Sequence, residues 1–249
     1  MFNFFKKDTP EVIFESVNYA IRKYAPIRPA SEFVPEKFKK LTTKLQSGDH
    51  RIDDVFTIKV CPGLQDYMGM GWVIPAWCDI EITPQGSEFP KVRYSDPNSQ
   101  QGFHHQDQLG NFLDTKFENR HAVKLDNPWL TYAKDGWSCM YLPMAYHESQ
   151  GFYALPGIID HDKGALQSPI NIMITTSEQF IIKQGTPLVQ VVPFKRQVVT
   201  ARTGDVRPNT IKRFDAMRTL HKMTFKGWRK LMSDPKRFKV DQHDTDVPF

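Results

Sequence analysis

The sequence predicts a mainly β protein, a sandwich or barrel with a helical segment at each end. Three observations predict it. Between residues 55 and 200 the chain is a series of short runs rich in β-branched and aromatic residues, among them VFTIKV, WVIPAWCDIEI, WSCMYLPMA, INIMITT and PLVQVVPF. Gly, Pro, Asn and Asp punctuate those runs at the spacing of turns. No long helical period interrupts them, which argues against alternating βαβ units and a parallel sheet.

The elements follow in order. Residues 9–25 read as a helix: Thr9 can cap it, Pro10 suits the first helical position, and Val12, Ile13, Val17, Ala20, Ile21 and Tyr24 recur at helical spacing. Pro26 and Pro29 end it. A polar, Lys-rich connection with one short helix around Glu36 to Leu45 leads to residue 50. The β domain is expected over 51–203, and its longest polar loop is 95–111, SDPNSQQGFHHQDQLGN. Beyond residue 204, Ile211, Phe214, Met217, His221, Phe225, Trp228 and Met232 follow helical spacing again.

With 40% apolar and 24% charged residues, a chain of 249 residues can build a sizeable core. Net charge is +5, and it is unevenly placed: residues 205–239 hold eleven Lys and Arg against three Asp. The partner-binding face of that tail is assigned to Lys212, Arg213, Arg218, Lys222, Lys226, Arg229 and Lys230, with an acidic protein or nucleic acid as the partner. Three widely spaced cysteines, Cys61, Cys78 and Cys139, exclude a disulfide framework and a Cys-based zinc site. A reducing, intracellular setting follows. The opening MFNFFKKDTPE is too short and too quickly charged for a signal peptide, and no apolar run reaches the roughly 18 residues of a membrane helix. A soluble protein without membrane contact is expected.

The most informative stretch runs from Leu155 to Arg196. Gly157-Ile158-Ile159-Asp160, followed by Asp162 and Gly164, resembles the third motif of dUTPases. Ile170 to Thr175 stands where the next strand falls, Phe180-x-Ile182-x-x-Gly185 resembles the following turn, and Leu188-Val189-Gln190-Val191-Val192 resembles the strand after it. Gly136-Trp137 through Pro143 occupies the place of the second motif, and Val73 to Ile82 the region of the first. The resemblance covers 136–196 well, 70–135 vaguely and neither end; it extends to dCTP deaminases. It implies a β-clip fold, a jelly-roll-like sandwich, and a homo-oligomer, the family's common state being a trimer. The texture is also similar to phage proteins.

The resemblance implies a chemistry as well. In the family the acid at the position of Asp160 activates a water that attacks a phosphate, and a carboxylate can do so when held within hydrogen-bond reach. Asp162, Lys163 and Gln190 would line the same site. The surroundings depart from the family. Lys163 stands where a tyrosine lines the base pocket, and Pro143-Met144-Ala145 replaces an Arg and Ser that contact phosphates. Met and Ala cannot donate to a phosphate. The nearest first-motif candidate, Cys78-Asp79-Ile80, lacks the family's glycine, and a basic tail replaces a Gly-rich arm. Residues 165–175 hold no acid, which removes the glutamate a deaminase needs.

The leading expectation is therefore a non-catalytic binding or assembly protein of dUTPase fold, a viral (phage) structural component of the virion, without cofactor. The alternative is a divergent deoxynucleoside triphosphate hydrolase with Asp160 as general base, Lys163 on a phosphate and Mg as cofactor. A minor alternative is an iron/2-oxoglutarate oxygenase, because His105-x-Asp107 resembles half of a facial triad, with His161 or His147 as third ligand. Side by side in a strand, His147, Glu148 and Ser149 cannot form a triad. Trp129, Trp137, Tyr132, Tyr141, Phe152 and Tyr153 can stack a base but fit a core or subunit interface better.

Overall fold

The computed structural model describes residues 11–44, 56–109, 121–147, 151–164, 166–201 and 203–204. The chain divides into two compact units, Met1–Gln197 and Val198–Phe249, and every element described here belongs to the first. The seven tail cations named above lie outside the described residues.

In chain order the elements are β1 (Val12–Glu15), α1 (Tyr19–Tyr24), β2 (Arg28–Pro29), α2 (Glu36–Lys40), α3 (Pro62–Gly69), β3 (Trp72–Pro75), β4 (Ile80–Gln85), β5 (Glu88–Tyr94), β6 (Gln101–His104), α4 (Gln106–Leu109), β7 (Ala122–Leu125) and β8 (Leu130–Ala133). Then come β9 (Trp137–Pro143), β10 (Phe152–Ala154), β11 (Gly157–Ile159), a 3-10 turn at His161–Lys163, β12 (Leu166–Gln167), β13 (Ile170–Ile174), β14 (Phe180–Ile182) and β15 (Pro187–Lys195). The protein is mainly β, as the sequence predicts.

Among the described residues four antiparallel sheets form, ordered β11-β9-β15-β3-β2, β10-β13-β7-β6, β1-β8-β12 and β14-β4-β5. β15 is the organiser. Its run PLVQVVPFK is buried along Leu188 to Val191, as a central strand with neighbours on both edges should be. It pairs β9 from Val189↔Pro143 to Lys195↔Trp137 and β3 from Pro187↔Pro75 to Val191↔Trp72. One core gathers Ile74, Cys139, Tyr141, Val189 and Val191 with Ile172, Ile174, Val123, Leu125, Ile80, Ile82 and Ile182. Each fully buried Ile or Leu contributes about 1.5–3 kcal/mol over its exposed state.

Three local expectations are corrected. Among the described residues of the helix predicted over 9–25, Tyr19–Tyr24 is helical, while Val12–Glu15 is a strand paired with β8 from Val12↔Ala133 to Glu15↔Leu130. Val12, Ile13 and Phe14 fit either period, and the cross-strand pairing decides; Asn18 then caps the helix, its Oδ1 accepting from Ala20 N at 2.9 Å. The described part of the run VFTIKV, residues 56–60, forms no strand: Phe56 makes one isolated bridge to Lys44, and Ile58–Val60 turns as a 3-10 helix into α3, where Pro62 opens the first turn. Within the polar stretch 95–111, Gln101–His104 is the strand β6, paired to β7, and Gln106–Leu109 is the helix α4.

Candidate functional site

The register of three strands creates the site. β9 lies between β11 and β15, so Ser138 faces Phe194 while Ile159 pairs with Cys139. The end of β11, the start of β9 and the end of β15 therefore meet. The Arg196 N–H donates to Gly136 O at 2.7 Å, fixing the strand end against the Gly136 turn. Gly136 adopts φ +79, a conformation that favours glycine.

Into this corner the 3-10 turn delivers Asp160 and Asp162. Ser138 Oγ donates to Asp160 Oδ1 at 2.6 Å, and Arg196 Nη1 lies 3.0 Å from the same oxygen. Gly136 N–H donates to Asp162 Oδ2 at 2.9 Å. Arg196 grips Asp162 with both arms, Nη1 to Oδ1 at 3.1 Å and Nη2 to Oδ2. Its Nη1 also meets Ser138 Oγ at 2.8 Å and the Trp137 carbonyl at 3.3 Å. Lys163 is the outer member, its Nζ 3.7 Å from Asp160 Oδ2.

The electrostatic consequence is one-sided. The Arg196 hydrogen bonds push the Asp162 carboxyl down to about 2, helped by the Gly136 N–H. The Ser138 hydroxyl, with Arg196 and then Lys163 behind it, holds Asp160 below its usual range. Both are firm carboxylates at neutral pH. A general base works best with a pKa near the operating pH, so the cluster moves Asp160 away from that role. What the arrangement does is clasp three chain segments by a bidentate guanidinium–carboxylate pair, the strong form of this contact.

Between the two acids, His161 points inward and is 1% exposed. Its Nε2 lies 3.0 Å from the Tyr141 hydroxyl, which is 3.5 Å from Thr131 Oγ1. Its Nδ1 finds no protein partner. Burial pushes the Tyr141 phenol up to about 12 and His161 down, the neighbouring Asp160 opposing the latter. The pair is a neutral, buried feature.

The remaining predicted residues sit elsewhere. Gln190 is buried, and its amide donates to the carbonyls of Tyr67 at 2.9 Å and Met70 at 2.6 Å, tying the end of α3 to β15. Beside it, Met144, Ala145 and His147 close against Phe33, Val34, Pro35, Tyr67 and Met68. The cavity left there is about 10 Å³, the room of roughly one water. Asp79 holds the β14–β15 turn, accepting from Lys183 Nζ at 2.8 Å and Gln184 N–H at 2.9 Å.

The metal set does not assemble. His105 Nδ1 is 3.2 Å from Asp107 Oδ2, both on one exposed segment, while His161 is in the core against Tyr141. Among the described residues no three His, Cys, Asp or Glu gather as metal ligands. Trp129 and Tyr141 are core residues, whereas Tyr153 is exposed. Sequence reasoning missed Ser138 and Arg196. Lys195 and Arg196 follow each other at the end of β15 in the sequence, but only register brings Arg196 to Asp160.

The chain matches no protein-family model, and no curated protein matches it. Among solved structures it is similar to a point mutant of the dUTPase of Staphylococcus bacteriophage 80alpha, at 7% identity over 80% of this chain and 99% of that one, with a TM-score of 0.36. A superposition at that level carries no weight for the site, which stands on its own geometry.

Proposed function

We propose that this chain is a non-catalytic binding or assembly protein in which the dUTPase-like third motif has become a structural clasp. The observation that carries the reading is the engagement of Asp160 and Asp162 by Arg196, which leaves no free carboxylate of raised basicity. The cavity against Met144 and Ala145 supports it, since about 10 Å³ holds no nucleotide at that position. Self-association is part of the proposal, a trimer being the family's usual form. Ile158, on the edge strand β11, is 60% exposed and supplies apolar surface for such a contact. A place in a virion belongs to the same proposal. No helix among the described residues is long and apolar enough to cross a membrane.

The test is thermal unfolding of the chain with each deoxynucleoside triphosphate and magnesium, for wild type and Asp160→Ala, with the mass measured by light scattering. A ligand at 100 times its Kd stabilises a native protein by about 2.7 kcal/mol, a readable shift. The expected result is no shift with any nucleotide and a mass of at least twice the 28.9 kDa of one chain. A shift with one nucleotide that disappears in Asp160→Ala, together with release of pyrophosphate from that nucleotide, overturns the reading in favour of the hydrolase.

A further inference from the structure

The N-terminal segment carries exposed rings and charge that the clasp does not use. From Ser16 to Lys44 there are seven Lys and Arg against two Glu, preceded by Glu11 and Glu15 on the β1 side. Both Glu within the segment are engaged inside it: Glu32 with Arg28 at 3.2 Å and Glu36 with Lys39 at 2.7 Å. The formal balance of Ser16–Lys44 is +5, and Arg22 Nη1 also donates to the Ser16 carbonyl.

Helix α1 interleaves that charge with aromatic rings. Its Ile21 and the following Ala25 are buried and anchor it. Tyr19 and Tyr24 are 66% and 61% exposed, far more than a packing role requires. Between them in sequence stand Arg22 and Lys23. The Arg22 guanidinium carbon lies 6.0 Å from the Tyr19 ring centre, and Lys23 Nζ lies 5.9 Å from the Tyr19 ring and 5.1 Å from the Tyr24 ring. Arg28 repeats the pattern over Phe33 at 4.9 Å.

Each candidate partner uses these groups differently. An acidic peptide pairs with the cations and leaves the rings in water. A DNA duplex meets the cations too, but its bases are stacked on one another and closed to the tyrosines. A six-residue helix with two cations between its rings offers little apolar depth to a bilayer. A single strand uses both kinds of group, since unstacked bases lie on aromatic faces while neighbouring cations take the phosphates. We propose that the exposed face of α1 binds single-stranded nucleic acid, with bases on Tyr19 and Tyr24 and phosphates on Arg22 and Lys23. The proposal is independent of the role assigned to Asp160.

Fluorescence anisotropy of the full chain tests it, with a labelled oligo-dT of about 16 nucleotides and a duplex of the same length. The expected result is tighter binding of the single strand. Replacing both tyrosines, Tyr19→Ala with Tyr24→Ala, weakens it about tenfold or more, whereas Tyr19→Phe with Tyr24→Phe, which keeps the rings, binds within about twofold of wild type. Arg22→Glu with Lys23→Glu weakens binding and flattens its salt dependence between about 50 and 200 mM. The four positions are exposed, so unchanged melting temperatures certify the folds. The proposal is overturned by absence of binding, by single-strand binding that Tyr→Ala leaves unchanged, or by a duplex affinity that Tyr→Ala weakens as much as the single-strand affinity. It is also overturned if the tyrosine-dependent partner is a phosphatidylserine vesicle and not the oligonucleotide.

Discussion

Asp160 keeps the residue type of a catalytic acid while its neighbours change what it can do. Arg196 is the deciding neighbour, because one guanidinium touches Asp160, Asp162, Ser138 and the Trp137 carbonyl at once. Lys163 reaches Asp160 alone among the described residues, at 3.7 Å, with a side chain 73% exposed. Solvent screens such a contact and the long side chain resists ordering. Arg196→Ala should therefore lower the urea midpoint of unfolding clearly more than Lys163→Ala, with the slope unchanged. Equal midpoints for the two variants would show that the clasp contributes nothing beyond an ordinary surface pair.

At the scale of elements, β3 and β15 meet at a point where only glycine fits. Gly71 precedes β3 with φ +71, and a Cβ there would run into the Val191 carbonyl oxygen of β15. The Gly71 carbonyl in turn accepts from Ala30 N–H at 3.0 Å. Gly136 and Gly185 also have positive φ, but a Cβ at either meets nothing within 4 Å. Gly136→Ala and Gly185→Ala should cost about 1–2 kcal/mol each from backbone conformation alone. Gly71→Ala should cost more, since backbone must also part from backbone; comparing the three by urea unfolding checks it, and parity among them would refute the close approach. These strands also show what the sequence makes legible. β13 and β15 could be read from β-branched runs between turn residues, because burial on both faces of a strand leaves that local record, while the short edge strand β14 stood out by the Phe-x-Ile-x-x-Gly pattern that ends it. β1 could not, because its Val-Ile-Phe run suits two periods and its partner β8 lies far along the chain. The site divides the same way. Asp160 stood out by its own motif, whereas Arg196 and Ser138 gain their meaning from a register that no local pattern encodes.

For the whole molecule, the clasp and the core beneath it make folding sensitive to acid. His161 is held below its ordinary value of 6.5 by burial, and His147 is depressed for the same reason. The unfolded chain therefore takes up protons near pH 6.5 that the folded chain refuses, so stability falls as pH drops below that value. Each such proton contributes at most about 1.4 kcal/mol per pH unit, and the loss ends once the folded histidine itself titrates. Asp160 and Asp162 act in a separate window. Their depressed values leave them charged in the fold when the unfolded carboxyls, near 3.8, are already protonating, so a second loss begins near pH 4 and runs toward pH 2. Arg196 stays charged throughout, and the two losses have the same sign. Urea unfolding between pH 7.5 and pH 3, values chosen at about one unit beyond the two ordinary pKa ranges, should show two separate declines. His161→Phe should flatten the upper decline in part, with His147 accounting for the remainder, and Arg196→Met should flatten the lower one. An upper decline that His161→Phe leaves untouched would mean that the buried imidazole binds its proton as readily in the fold as in the unfolded chain, and that the neutral Tyr141–His161 pair is not how this core is built.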